Sequence, residues 1–205
     1  LLRAVYRAEA GQWEQAEQDY KQLTTFTETG ASGYALLSDF YVRWGKPDDA
    51  VAALDEGLGT YADNSGLKRK LVRRLLSRPR IQDRARALDL LNILERQFPQ
   101  DRELMKLRAT ALLQEATPEA LATAKDKLEE VIRQEPTATD AHLTLIGLAL
   151  RQEQYETARE YAIGAIDSNP DHAGLLLARA EAELALNHGL EAVELTRLVL
   201  RQDPN

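Results

Sequence analysis

Residues 141–170 read AHLTLIGLALRQEQYETAREYAIGAIDSNP. The stretch contains two helical runs, and its central alanine, Ala158, has counterparts at Ala16, Ala50, Ala87, Ala124 and Ala192. The gaps between these six alanines are 34, 37, 37, 34 and 34 residues. A period in this range is the signature of a stacked array of helical repeats, in which each unit buries its apolar face only against its neighbours.

Composition agrees with that reading. Of 205 residues, 44% are apolar and 29% charged, as in a folded soluble protein. With aromatics at 6%, and only 11 glycines and 7 prolines to break them, the runs rich in Ala, Leu, Glu, Gln and Arg predict helices throughout. No segment alternates with period two long enough to make a strand. There is no cysteine, which excludes disulfides and thiolate metal sites without identifying a compartment. No run approaches the roughly 18 apolar residues of a membrane span. The sequence begins at Leu1 in what reads as the middle of a helix, as a piece of a longer array would, so any export signal is unreadable and localisation stays open.

The units fall at about 1–30, 31–64, 65–101, 102–138, 139–172 and 173–205, read together as one repeat domain. Gly11 and Gly45 mark turns within the first two, and Pro47 and Pro118 sit where a first-turn proline is tolerated. Pro99, Pro136, Pro170 and Pro204 close successive units at gaps of 37, 34 and 34. In units three and four, the intervals Leu75–Ala87 and Leu112–Ala124 are 12 residues, against 9 for Tyr41–Ala50 and Ala149–Ala158. Three extra residues are nearly a helical turn, so longer helices or projecting loops are expected there.

Tyr34-x₂-Leu37-Ser38-x₂-Tyr41 with Gly45 and Ala50-x₃-Leu54 resembles the tetratricopeptide repeat, as do Leu145-Ile146-x₂-Ala149, Tyr155, Ala158-x₃-Ala162-x₂-Ala165 and Pro170. The resemblance covers about five and a half repeats. It implies an all-α solenoid of antiparallel helix-turn-helix hairpins forming a right-handed superhelix, with the first helix of each hairpin lining a concave groove. Ser38, Ala50, Ala109 and Ala158 are small, as close helix approach requires. Arg108 and Arg179 depart from the pattern, standing where the family usually has a large apolar residue.

No catalytic constellation emerges, so the chain is not read as an enzyme, and no cofactor is implied. His142, His172 and His188 form neither an i,i+4 pair nor an H-E-x-x-H arrangement, so no metal site is expected. Gly57-x-Gly59-x-x-Ala62 matches a dinucleotide fingerprint on paper but lacks the strand that must precede it, and reads as a helix end. Asp48–Asp49 and Glu129–Glu130 are adjacent on helices, so their side chains diverge.

Charge is uneven. Residues 65–108 hold 13 Lys/Arg against 5 Asp/Glu, and the rest of the chain 13 against 28. Left over for the groove, once the packing slots are filled, are Arg43, Arg69, Lys70, Arg73 and Lys106, then Leu143, Gly147, Leu150, Leu177, Glu181 and Leu184. The resemblance implies a protein–protein interaction scaffold, and these residues suggest a peptide with acidic and apolar segments. Asp39 and Arg73 occupy positions where the family's carboxylate clamp has asparagine, so a clamp for a chaperone tail is not expected. Two alternatives stay open: a nucleic acid or other polyanion on the basic segment 68–86, against which the overall charge of −7 counts, and a solvated face balancing acidic neighbours. At the far end, Leu195, Leu198 and Val199 are expected to be partly exposed, favouring end-to-end self-association.

Overall fold

The computed structural model describes residues 1–26, 30–78 and 80–202. Among them the backbone forms twelve α-helices and no strand: α1 (Leu2–Glu9), α2 (Trp13–Thr24), α3 (Gly30–Arg43), α4 (Pro47–Thr60), α5 (Ser65–Leu76), α6 (Ile81–Gln97), α7 (Arg102–Glu115), α8 (Pro118–Gln134), α9 (Thr139–Arg151), α10 (Tyr155–Ser168), α11 (Ala173–Ala185) and α12 (Gly189–Gln202). They alternate as first and second helices of hairpins. The second helix of one hairpin packs on the first helix of the next, as α2 does on α3, α4 on α5, α8 on α9 and α10 on α11. The chain divides into two compact units, Leu1–Leu107 and Arg108–Asn205, the division falling inside α7.

All six period-setting alanines are buried: Ala16, Ala50, Ala87, Ala124 and Ala158 are 0% exposed and Ala192 2%. Each lies on a second helix, where a larger side chain would hold the neighbouring backbone away. Around Ala16 and Ala50 the first unit builds an aromatic core, with Tyr20 stacked on Phe40 at 4.8 Å and Trp13 on Trp44 at 6.0 Å. In the second unit the core is aliphatic: Ile146 and Leu175 close over Ala149, Ala158, Ala162, Ala165 and Ala182.

The extra length in units three and four is helix. Both α6 and α8 have 17 residues, against 14 in α4, α10 and α12. Thr117 caps α8 through its side chain, with Pro118 in the first turn. Pro99, Pro136 and Pro170 each follow a second helix by two residues, where a chain leaving a helix tolerates them; Pro204 lies outside the described residues. Gly57 and Gly59 belong to α4, and Gly57 packs against the Tyr34 side chain.

Four hairpins turn alike. Gly11, Gly45, Glu153 and Asn187 all have φ between 58° and 73°. After each, a backbone N–H reaches the carbonyl five residues back: Gln12 to Arg7, Lys46 to Tyr41, Gln154 to Ala149 and His188 to Glu183, at 2.8–2.9 Å. This is the Schellman closure of a helix C-terminus, which glycine adopts without strain. Glu153 is the misfit. Its left-handed backbone costs about 1–2 kcal/mol, partly offset because glycine loses more freedom on folding. Glu153→Gly should therefore stabilise the chain by about 0.5–1 kcal/mol, read as a rise in the urea midpoint monitored by circular dichroism.

Candidate functional site

The basic segment reaches its neighbours at a stride of about one repeat. On α5, the Lys70 ammonium donates to Asp39 at 2.5 Å and to the Ala35 carbonyl at 3.1 Å, while Arg74 takes the other Asp39 oxygen at 2.5 Å. Arg78 and Arg80 both bond Asp48, at 2.7 and 2.8 Å, and Arg86 pairs with Asp55. All three aspartates lie on the preceding hairpin. In the other direction, Arg69 reaches Asp101 at 2.8 Å and Glu103 at 3.5 Å, stacks over Phe98, and shares Glu103 with Arg73, which binds it at 2.5 Å.

Electrostatics follow the geometry. The hydrogen bond from Arg69, reinforced by the Leu104 N–H, holds the Asp101 carboxyl below the usual carboxylate range against the opposing effect of burial. Arg80 does the same to Asp48, and the Asp55 hydrogen bond raises Arg86. These cations are thus substantially matched by acids one repeat away, and the segment is a seam between hairpins more than an open basic patch. Isolated cations read from sequence cannot reveal this; an acid recurring 30–35 residues away could have.

The other residues singled out in sequence fall into two groups. Arg43 ends α3 and is exposed, and Lys106 is half-buried on α7. In the second unit, Leu143, Gly147 and Leu150 lie half-buried on α9, and Leu177, Glu181 and Leu184 are exposed on α11. Leu143 and Gly147 share one cleft, between the end of α7 and α9, enclosing about 610 Å³. Leu113, Leu121 and Leu148 also line it, with Gln114, Thr144 and Arg151 as polar groups. Leu150 does not line it and, like Leu143, packs against the core that holds Leu175 and Ala182. The cationic candidates lie in the first unit and the apolar ones in the second.

The histidines serve local structure. Buried His142 bonds the Pro136 carbonyl through Nε2 at 2.9 Å, His172 accepts the Leu175 N–H at the start of α11, and His188 meets buried Glu183 at 2.9 Å. Arg179 pairs with the same Glu183 at 3.5 Å, so in that departure from the repeat pattern a buried acid balances the cation. At the far end, Leu198 is exposed and Val199 half-buried, but Leu195 is only 8% exposed because it packs with Leu176, Ala180 and Ala192. No helix among the described residues is long and apolar enough to cross a membrane.

No family model matches the sequence, and no curated protein matches it. Solved structures do. A tetratricopeptide repeat protein from Parabacteroides merdae matches with a TM-score of 0.73 over 97% of this chain and 77% of its own, at 15% identity. MamA from Desulfovibrio magneticus matches with a TM-score of 0.65 over 83% and 93%, at 19% identity. A thermophilic tetratricopeptide protein from Thermus thermophilus matches at 0.64 over 85% and 92%, at 18% identity. The fold is that of the tetratricopeptide-repeat solenoids, and identities this low speak to fold alone.

Proposed function

We propose that the chain is a non-catalytic protein-interaction scaffold whose main anchor is the cleft between α7 and α9. The observation that carries the reading is the combination of that cleft with Gly147 inside it. A Cβ added at Gly147 would meet nothing within 4 Å, so the helix surface there is open to a visiting side chain. Four leucines supply apolar area, and the few polar groups can orient a guest without dominating its binding. Leu177 and Leu184, 46% and 60% exposed on α11, add further apolar contact area. A partner segment would enter with an apolar side chain and run along the first helices.

Acidic residues in the partner would contribute less than the sequence suggests. Arg69, Lys70 and Arg73 already hold carboxylates, and a guest must displace these to gain anything. The same pairing weighs against a polyanion on residues 68–86. The test is a photo-crosslinking residue at position 177, applied in a lysate of the source organism. Gly147→Leu should cut the crosslinked partner at least tenfold while leaving the circular dichroism spectrum intact. Persistence of the same partner at full yield would remove the cleft from the interaction.

A further inference from the structure

A second cleft opens on the opposite side of α9, between the second helices α8 and α10. It encloses about 400 Å³, within the range of about 300–1,000 Å³ that ligand clefts occupy. Ile132 and Leu145 make it apolar, and the Tyr161 ring borders it, fixed by a hydroxyl that donates to Glu129 at 2.8 Å. Gly164 supplies the space: a Cβ built there meets nothing within 4 Å. One repeat earlier and later, the same position carries Glu130 and Leu198, long side chains where this helix has none. The vacancy is specific to this hairpin.

Charge indicates what would fill it. Residues 108–205 hold 9 Lys/Arg against 17 Asp/Glu, a net of −8, whereas residues 1–107 hold 17 against 16, a net of +1. Among the residues lining the cleft, the one arginine, Arg133, is held by Glu130, and Glu129 has Lys125, outside the lining, at 3.8 Å. The Glu160 carboxylate has no hydrogen bond or ion pair among the described residues and stands exposed at the rim. An apolar cavity with an uncompensated carboxylate, set in an acidic unit, attracts and orients a cationic guest and repels an anionic one.

We propose that the α8–α10 cleft is a second protein-docking site, which takes a basic peptide segment carrying one large apolar side chain. The apolar side chain enters over Gly164, and flanking Lys or Arg residues meet Glu160. This face is separate from the α7–α9 cleft, so the two sites can be occupied and disabled independently.

The experiment pans a phage library of random linear peptides against the whole chain carrying Gly147→Leu, which blocks the other cleft. Enriched peptides should be net basic around a single large apolar residue. By fluorescence anisotropy, such a peptide should bind at least tenfold more weakly to Gly164→Leu and to Glu160→Lys, and weaken as salt rises. Affinity for the parent and for Gly147→Leu should be equal. Gly164→Leu places its side chain in open space on a helix, and Glu160→Lys changes an exposed residue; matching melting curves check both folds. Acidic or neutral winners, no enrichment, or undiminished binding to Gly164→Leu would each overturn the proposal. A peptide that binds the parent more tightly than it binds Gly147→Leu would be reaching the α7–α9 cleft instead, and would overturn it too.

Discussion

Gly33→Ala should loosen the first two hairpins by a net of at least about 2 kcal/mol, although alanine is the better helix former. A Cβ at position 33 on α3 would lie 2.5 Å from the Leu23 carbonyl oxygen, 2.6 Å from its carbon and 2.8 Å from the Thr24 nitrogen. All three are backbone atoms of the last turn of α2, so no side-chain rotation can relieve the clash, and the two hairpins must part. Overpacking of this kind costs about 3 kcal/mol, and the helix-propensity gain of about 1 kcal/mol returns only part of it. Gly59→Ala on α4 is the control: its Cβ meets nothing within 4 Å, so the same exchange should stabilise by about 0.5–1 kcal/mol. The chain's two tryptophans, Trp13 and Trp44, both lie in these hairpins, so tryptophan fluorescence during urea unfolding reads this region separately from the rest of the array. Opposite signs for the two variants are the expected result; equal signs would mean that the α2–α3 crossing has room for a methyl group at position 33.

What the sequence made legible is what repeats. The alanine ladder gave the period, and every rung is buried on a second helix, because a close helix–helix crossing tolerates little else. Gly11 and Gly45 could be read as turns for the same kind of reason, since a left-handed backbone selects glycine. Glu153 and Asn187 adopt the identical turn with residues that do not announce it, so only the backbone reveals them. The 12-residue intervals showed that units three and four are longer. Whether that length was helix or loop depended on α6 starting as early as Ile81, which no periodicity specifies. A partly exposed Leu195 is the natural expectation for the last repeat read alone, yet its partners come from α11, on the other arm of its own hairpin. Least legible were the two clefts, since a cavity is defined by side chains that are absent. Gly147 falls at a groove position of the repeat, but Gly164 gives no signal beyond being a glycine in a helix.

Removing Asp83 should cost about 2–3 kcal/mol, in the manner of a broken buried ion pair. Its carboxylate lies 2.6 Å from Arg78 Nε, with side chains only 13% and 11% exposed, and Arg78 ties this pair to Asp48 on the preceding hairpin at 2.7 Å. Asp83→Ala leaves a largely desolvated guanidinium with one exposed partner, which keeps the loss below the roughly 3–5 kcal/mol of a fully orphaned charge. Replacing both members with apolar residues, Arg78→Met and Asp83→Leu, should recover most of the loss, because desolvation of the pair opposes its attraction. The Arg86–Asp55 pair is the contrast: with side chains 46% and 36% exposed, its loss should cost no more than about 1 kcal/mol and fade with added salt. Hydrogen exchange of the α5 and α6 amides, with and without salt, measures both. The comparison also tests what the basic run is for. Arginines kept for an external polyanion would be exposed and uncoupled from stability, and Asp83→Ala would leave α5–α6 exchange unchanged. Arginines committed to the fold, Arg78 to Asp83 within its own hairpin and to Asp48 on the preceding one, make the third repeat fail when Asp83 is removed.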